Sequence, residues 1–522
     1  MCVHNVCLGR SVRNFNEYGT HFDEHKMARQ GAAGVEDLIW KKVLSLRRWK
    51  KTKLYKSRSK WDFQFTIMTY NILSQNAVEN HRYLYRNCNP TYLQEDYRIS
   101  RIMPEILQSR SDIICLQEVE QNLFDSRIKK VFDSKGFASI FKKRTGSKSD
   151  GCAILWRRKK FDLVQQKAIE FRSKANQLLD RDNIGLIAVL KPNHPKFTNM
   201  LLHVATTHLL FNPKRGDIKL CQLRWLFAEL ERLSLKEVKG ETRHYHPIIL
   251  CGDFNIEPNS PLYQFIENGC INLLNTVSGD LSGQAEGKSK GRLVVAENLL
   301  LHNLGISESC RFEEISPNDD ASANVRQEKA ISGSSSKYTE IKNAGTSKSN
   351  SFNSKGVDPD LLKAMGSSTD SRWIATFLAL GNKELATKLA ANPKEGQRSA
   401  DQIDLNQAGS SKNQTNSPDV ESGLSFRHDF KLVPAYKFHN FSQKNMPITS
   451  MTGNDFNTVD HIFYGVNKKR DITSYSEGPL RLLSIYTLMQ ADDITELGGL
   501  PNAVLGSDHI SLMAHFAFNT KR

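Results

Sequence analysis

Apolar and polar positions change rhythm along this chain. Residues up to about 60 show little apolar periodicity. From Phe63 a β-rich run, Phe-Gln-Phe-Thr-Ile-Met-Thr-Tyr, ends at Asn71. Ile99, Ile102, Ile106 and Leu107 recur at helical spacing and predict a helix over 98–109. Further short apolar runs predict strands at 112–118, 139–141, 152–156, 184–190, 201–207 and 248–251, and an amphipathic helix spans 217–232. Near the end, runs at 458–464 and 510–518 again read as strands. Short apolar strands alternating with helices predict an α/β fold.

Between about Ser307 and Ser425 the rhythm collapses into Ser, Asn, Lys, Gly and Asp. A segment this long and polar cannot bury a core, so it reads as a largely disordered insertion. One island, Trp373 to Ala391, has helical character and reads as a partner-binding helix or one that docks back on the domain. The expected organisation is a basic, disordered tail over 1–62, a first catalytic part over 63–305, the insertion over 306–425 and the rest of the catalytic domain over 426–522. There is no internal repeat.

Composition sharpens this picture. The chain has 522 residues, 39% hydrophobic and 25% charged, enough to bury a full core. Its formal net charge of +16 favours a polyanionic partner, nucleic acid before a membrane surface. From Lys41 to Lys60 ten of twenty positions are Lys or Arg, with Trp49 and Tyr55 among them. That stretch reads as a solvated tail, a nuclear-import signal or an RNA-contacting arm. Nine scattered cysteines without a C-x-x-C pair point to a reducing compartment, cytoplasm or nucleus. No apolar run is long enough for a membrane span, and the first residues lack a secretory apolar core.

Polar groups mark the strand ends: Asn71, Gln117-Glu118, Thr207-His208, Gly252-Asp253-Phe254-Asn255, Asp460, and Ser507-Asp508-His509 before the last strand. Such groups tend to converge on one crevice in α/β folds. Singly, each has a plainer reading as a turn, a cap or a solvated strand end. Together they make a chemical set. Carboxylate and amide oxygens without a cysteine suit a hard cation, Mg²⁺ or Mn²⁺ in its place. Asp, Asn, Glu and His also supply what phosphodiester hydrolysis needs: an activated water, charge relief and a stabilised leaving group.

Met68-Thr-Tyr-Asn71, Leu116-Gln-Glu118-Val, Thr207-His208-Leu, Gly252-Asp-Phe-Asn255, Val459-Asp460 and Ser507-Asp508-His509 resemble the endonuclease/exonuclease/phosphatase superfamily, the deoxyribonuclease I-like fold. Arg144-Thr-Gly-Ser-Lys-Ser-Asp150-Gly-Cys, Asp182-Asn183 and His208-Leu-Leu-Phe-Asn-Pro213-Lys-Arg-Gly-Asp resemble its carbon-catabolite-repressor/nocturnin group. Asn71-Ile-Leu-Ser-Gln75 and Leu179-Asp-Arg-Asp-Asn183-Ile-Gly read like the Angel branch. The resemblance covers roughly 63–305 and 426–520. It implies a four-layer α/β sandwich, two mixed sheets face to face with helices outside. It implies Glu118 as the main Mg²⁺ ligand, helped by Asn71 and Asp508. Asp253 would position or deprotonate the attacking water, and Asn255 would stabilise the phosphoryl oxygens. His509, oriented by Asp460, and His208 would contact the phosphate. Asn183, Pro213, Lys214, Arg215 and Phe456 would bind substrate. Phe456 lies one residue out of register with the family's base-stacking aromatic, and the chain carries no leucine-rich repeat.

The implied activity is hydrolysis at RNA 3′ ends, either 3′–5′ removal of nucleotides such as poly(A) or opening of a terminal 2′,3′-cyclic phosphate. The implied partner is single-stranded RNA, with mRNA-decay or translation-factor proteins as further candidates and no membrane. The alternatives are a different phosphoesterase on the same fold, acting on DNA or on inositol or lipid phosphates, and a non-catalytic RNA or translation-factor scaffold. The segment around Asp460 lacks the Cys-Asp-Arg of inositol phosphatases. The Tyr-x4-Leu-hydrophobic motif for the cap-binding factor has no clean match. Tyr475 and Leu480 are followed by Arg481, and Tyr97 has Ile102 in place of Leu.

Overall fold

The computed structural model describes residues 29–58, 62–313, 425–442, 445–469 and 475–518. These form two large sheets. The first runs Trp49–Lys51, Leu480–Tyr486, Leu512–Phe518, Gln64–Asn71, Ile113–Glu120, Asp150–Arg157, Phe137–Lys143. The second runs Leu432–Pro434, Asp460–Gly465, Ile248–Asp253, Leu202–His208, Ile184–Pro192, Phe161–Glu170. Both are mixed: Gln64–Asn71 pairs in parallel with Ile113–Glu120, Leu202–His208 with Ile248–Asp253, and the other pairings are antiparallel.

The two-residue strand period sorts side chains between layers. Phe65, Ile67, Ile113, Cys115, Val204, Ile249, Cys251 and Ile462 meet between the sheets. Their alternates face outward. Met68, Tyr70, Ile114 and Leu116 pack under the helix Glu95–Gln108 through Ile99, Ile102 and Ile106. Ala205, Leu250 and Phe463 pack under Gly216–Ser234 and Pro261–Asn268 through Leu220, Leu223, Phe227 and Phe265. Truncating a large side chain among these fully buried residues to Ala costs about 2–5 kcal/mol. The result is the four-layer sandwich expected from the sequence. Pro261–Asn268 is bounded by local chemistry: the Ser260 hydroxyl accepts from Tyr263 N, Pro261 opens the first turn, and Gly269 closes it in a left-handed conformation.

Two boundaries differ from expectation. From residue 29 the presumed tail is built into the domain. Arg29–Leu46 is a helix that sends Val43 into a cluster with Ile494, Leu505 and Ile510. Trp49–Lys51 adds an edge strand to the first sheet. Between them Arg47 is buried, donating to Thr487 O, Ser511 Oγ and Ser511 O. Ile306 and Cys310, expected in the insertion, are instead core residues on the outer side of the second sheet. The rest of that segment, including Trp373–Ala391, lies outside the described residues. Strands Phe161–Glu170 and Leu480–Tyr486 carry no strong alternation and were not expected.

Candidate active site

The face between the sheets turns polar at one end, and the strand register dictates which residues stand there. In the second sheet Val204 is level with Ile249, and Ile249 with Tyr464. One step on, Thr206, Cys251 and Ile462 are level. The next row is His208, Asp253 and Asp460. Asp460 opens an antiparallel strand and so reaches the same end as the closing residues of the other two. In the first sheet the corresponding rows are Ile67 with Ile113, Thr69 with Cys115, and Asn71 with Gln117. Gln117 Nε2 donates to Thr69 Oγ1 at 3.1 Å and across the sandwich to Thr206 Oγ1 at 2.9 Å. A hydrogen-bonded floor therefore separates the apolar core from the row above.

Glu118 is the exception to alternation. Its parity points it outward with Leu116. A register shift between Leu116 and Val119, with Glu118 at φ 56, brings it inward instead. A bulge re-aims one side chain at the cost of local strain. Gly252 has a similar logic. At φ 139, a Cβ there would lie 2.2 Å from Thr207 O, so only glycine lets Ile248–Asp253 approach Leu202–His208.

Asn71 joins the two sheets. Its Nδ2 donates to Glu118 Oε1 and Asp253 Oδ2, both at 3.0 Å, and its Oδ1 accepts from Leu73 N at 3.0 Å. Two carboxylates at one end and an N–H at the other settle the amide orientation. Asn71 thus organises the carboxylates, with its oxygen turned to Leu73 N. Glu118 Oε2 accepts from Ser74 N at 3.0 Å. Burial works to raise the Glu118 carboxyl, but His208, the Ser74 N–H and the Asn71 amide together hold it below its ordinary value. Asp253 Oδ1 accepts from Asn255 N at 3.0 Å.

Two histidines flank Asp253. His509 Nδ1 lies 2.8 Å from Asp460 Oδ2, and its Nε2 is 3.7 Å from Asp253 Oδ2 and 4.0 Å from Asp508 Oδ1. Burial opposes the imidazolium, yet Asp460, Asp508 and Asp253 hold His509 well above the usual histidine range, which favours its charged form. His208 is looser: Nε2 is 3.5 Å from Asp253 Oδ2, and Nδ1 is 3.9 Å from Glu118 Oε1 with no hydrogen-bond partner. Asp508 Oδ2 accepts from Tyr85 OH at 2.7 Å, and burial raises its carboxyl.

Glu118, His208 and Asp253 offer ligand atoms within 4.8 Å of one another, as do Asp253, Asp460 and His509. The second group is already closed by its own ion pair. A hard divalent cation takes oxygen donors, and Glu118 with the neighbouring Asp508 carboxylate supplies them, His208 and Asp253 standing beside.

The chain as a whole is similar to known proteins. The family model described as Endonuclease/Exonuclease/phosphatase family matches residues 68–269. Human protein angel homolog 2 is 31% identical over 509 residues, covering 95% of this chain and 78% of its own length. The chain belongs to the Angel branch of that family. It is an enzyme of the phosphoesterase and nuclease class. Human protein angel homolog 1 is 30% identical over 465 residues, covering 87% of this chain and 63% of its own length. A crystal structure of ANGEL2, a 2′,3′-cyclic phosphatase, in complex with adenosine-2′,3′-vanadate superposes with a TM-score of 0.62 at 28% identity, covering 90% of this chain and 98% of that one.

For this Angel-family chain the expected substrate residues divide. Lys214 is exposed at the rim, beside half-buried Pro213. Arg215 commits its guanidinium to Asp217, with three contacts of 3.0–3.2 Å. Asn183 is buried, with Nδ2 on His208 O and Oδ1 on Gln222 Nε2. Both ends of its amide are taken, so it braces the His208 turn from behind; its expected contact with substrate is corrected. Asn255 donates from Nδ2 to Leu209 O at 3.2 Å, and its carbonyl accepts from buried Lys219. Phe456 sits in the hairpin of Ser450–Thr452 and Asp455–Asn457, packed with Ile448 and Met489.

Tyr85, Arg98 and Thr449 went unrecognised in the sequence, and Ser507 was read only as part of a motif, without a role. Tyr85 holds Asp508. Buried Arg98 donates to Ile72 O and Leu73 O, at 3.0 and 2.7 Å, and so fixes the turn after Asn71. Ser507 Oγ donates to Asn71 O at 2.7 Å and accepts from His509 N at 3.1 Å. The Thr449 hydroxyl accepts from Val459 N and Asp460 N. Tyr85 lies in a single 3-10 turn without periodicity, so nothing in the pattern singled it out.

Proposed function

We propose that this chain hydrolyses phosphoester bonds at RNA 3′ ends with Mg²⁺, or Mn²⁺ in its place, and that a terminal 2′,3′-cyclic phosphate is its preferred substrate. The observation that carries the proposal is the row of His208, Asp253 and Asp460 facing Asn71 and Glu118 across one floor, with His509 held by Asp460 beside Asp253. The cyclic phosphate follows from the likeness to ANGEL2 along nearly the whole of that structure.

Glu118 and Asp508, organised through Asn71 and Tyr85, would hold the cation. A bound divalent cation would neutralise charge on the phosphoryl oxygens. Asp253, kept in place by Asn71 and by the N–H of Asn255, accepts a proton from the attacking water. His509 donates from Nε2 to a phosphoryl oxygen, with Asp460 fixing ring and tautomer through Nδ1. His208 approaches the same phosphate from the other side of Asp253. Water adds to phosphorus, one ribose P–O bond breaks, and the departing ribose oxygen takes up the proton that Asp253 received from the water. For a 3′–5′ exonuclease the same atoms serve, with a nucleotide as the leaving group.

A panel of RNA ending in 2′,3′-cyclic phosphate, mixed RNA with a 3′ hydroxyl, and oligo(A), each with Mg²⁺, tests the proposal. The expected product is cyclic-phosphate-free RNA of unchanged length, absent with Glu118→Ala and Asp253→Ala proteins. Stepwise shortening of oligo(A) with the cyclic end untouched would replace the cyclic reading with the exonuclease one.

A further inference from the structure

The segment before the catalytic core carries a fixed array of positive charge. Six of the eleven residues from Arg48 to Arg58 are Lys or Arg, and none is acidic. Arg48, Lys50, Lys51, Lys53, Lys56 and Arg58 are all exposed, and none is in an ion pair among the described residues. The backbone is pinned. Trp49–Lys51 pairs with Ser484–Tyr486 in register, Thr52 N donates to Leu483 O at 2.8 Å, and Lys53–Ser57 forms a 3-10 turn. Buried Arg47 anchors its start.

Aromatic rings punctuate the array. Trp49 leaves 40% of its surface exposed beside Tyr486. Tyr55 carries Lys51 Nζ at 4.5 Å and the Arg58 guanidinium at 3.7 Å from its ring centre. Exposed cations held beside an exposed aromatic ring are what a single-stranded nucleic acid needs, phosphates on the charges and a base on Trp49, while Tyr55 fixes the Lys51 and Arg58 cations in place. The position fits as well. Lys50 lies in one cross-strand row with Ile485, Ala514 and Ile67. Three strand spacings across and four residues along place it roughly 20 Å from Asn71.

We infer that Arg48–Arg58 is a preformed binding strip for the single-stranded RNA that leads into the active site, gripping its backbone several nucleotides before the 3′ end. The inference rests on the RNA reading of the site. Lysines on an edge strand also discourage sheet-to-sheet pairing. That role alone needs neither the cations of the turn at Lys53 and Lys56 nor the clamped Tyr55.

The test uses the full chain with Lys50, Lys53 and Lys56 changed together to Gln, and a companion with all three changed to Arg. Equilibrium binding of a long single-stranded RNA with a 3′ hydroxyl is read against salt, beside turnover of long RNA with a cyclic end and of adenosine 2′,3′-cyclic phosphate. The Gln variant should bind the long RNA several-fold more weakly, with a salt slope shallower by roughly 0.7 for each phosphate that is no longer neutralised. Its KM for cyclic-ended long RNA should rise alike, its turnover of the mononucleotide should stay at wild type, and the Arg companion should recover binding. Unchanged binding and slope overturn the inference. So does an equal fall in activity on mononucleotide and long RNA, which marks a structural role, and so does weakened attachment to anionic vesicles with RNA affinity intact. Failure of the wild type to turn over either cyclic substrate would sink the proposed reaction, while the binding arm would still decide the strip.

Discussion

The two histidines beside Asp253 are built to opposite plans. His509 is locked, with Nδ1 on Asp460 at 2.8 Å and a backbone N–H on Ser507. His208 keeps Nδ1 unpartnered and approaches its carboxylates only at 3.5 and 3.9 Å. The first is buried and oriented in advance, with neighbouring carboxylates favouring its charged form. The second keeps capacity for what arrives from outside. Asp253 stands between them.

Asp253→Ala removes the group both histidines share and should have the largest effect, a fall in kcat of roughly 10²–10⁴-fold at unchanged fold, read by circular dichroism beside steady-state rates. Asp460→Asn separates the pair. His509 loses a charged partner worth about 1.5–3 kcal/mol, so kcat should fall ~10–100-fold with KM little changed. His208→Gln should shift KM and the Mg²⁺ requirement more than kcat. Identical kinetic signatures for those two variants would dissolve the contrast between locked and open histidines. Gly252→Ala drives a Cβ against Thr207 O and so parts the strand of Asp253 from that of His208. Urea unfolding should show stability reduced by about 1–3 kcal/mol. Tyr85→Phe is the mildest change. Asp508 loses one donor, about 1 kcal/mol, and calorimetry should show Mg²⁺ binding weakened ~5-fold with the melting temperature nearly unmoved.

The same contrast explains what the sequence disclosed. His208, Asp253 and Asp460 close or open apolar strands, and strand parity alone carries them to one face, so pattern and motif found them. Glu118 was found as a strand-end polar group and by motif, but its inward direction was not legible, because its parity points outward and the bulge that reverses it leaves no mark in the apolar rhythm. Tyr85, Arg98, Ser507 and Thr449 act through turns and backbone groups, where side-chain periodicity is silent. Asn183 was noticed for the right neighbourhood, but burial and two internal hydrogen bonds make it a brace. The stretch after residue 29 looked like a tail because its strand is three residues long and its cations mask the pairing. What holds it is a backbone ladder and buried Arg47, neither of which composition shows.

The most direct measurement is product mapping of RNA ending in a 2′,3′-cyclic phosphate, incubated with the wild-type chain and Mg²⁺. The account predicts removal of the cyclic end with no change in chain length, stopped by EDTA and by Asp253→Ala. An RNA end left intact by the wild-type protein, or processed at full rate by Asp253→Ala, would contradict it.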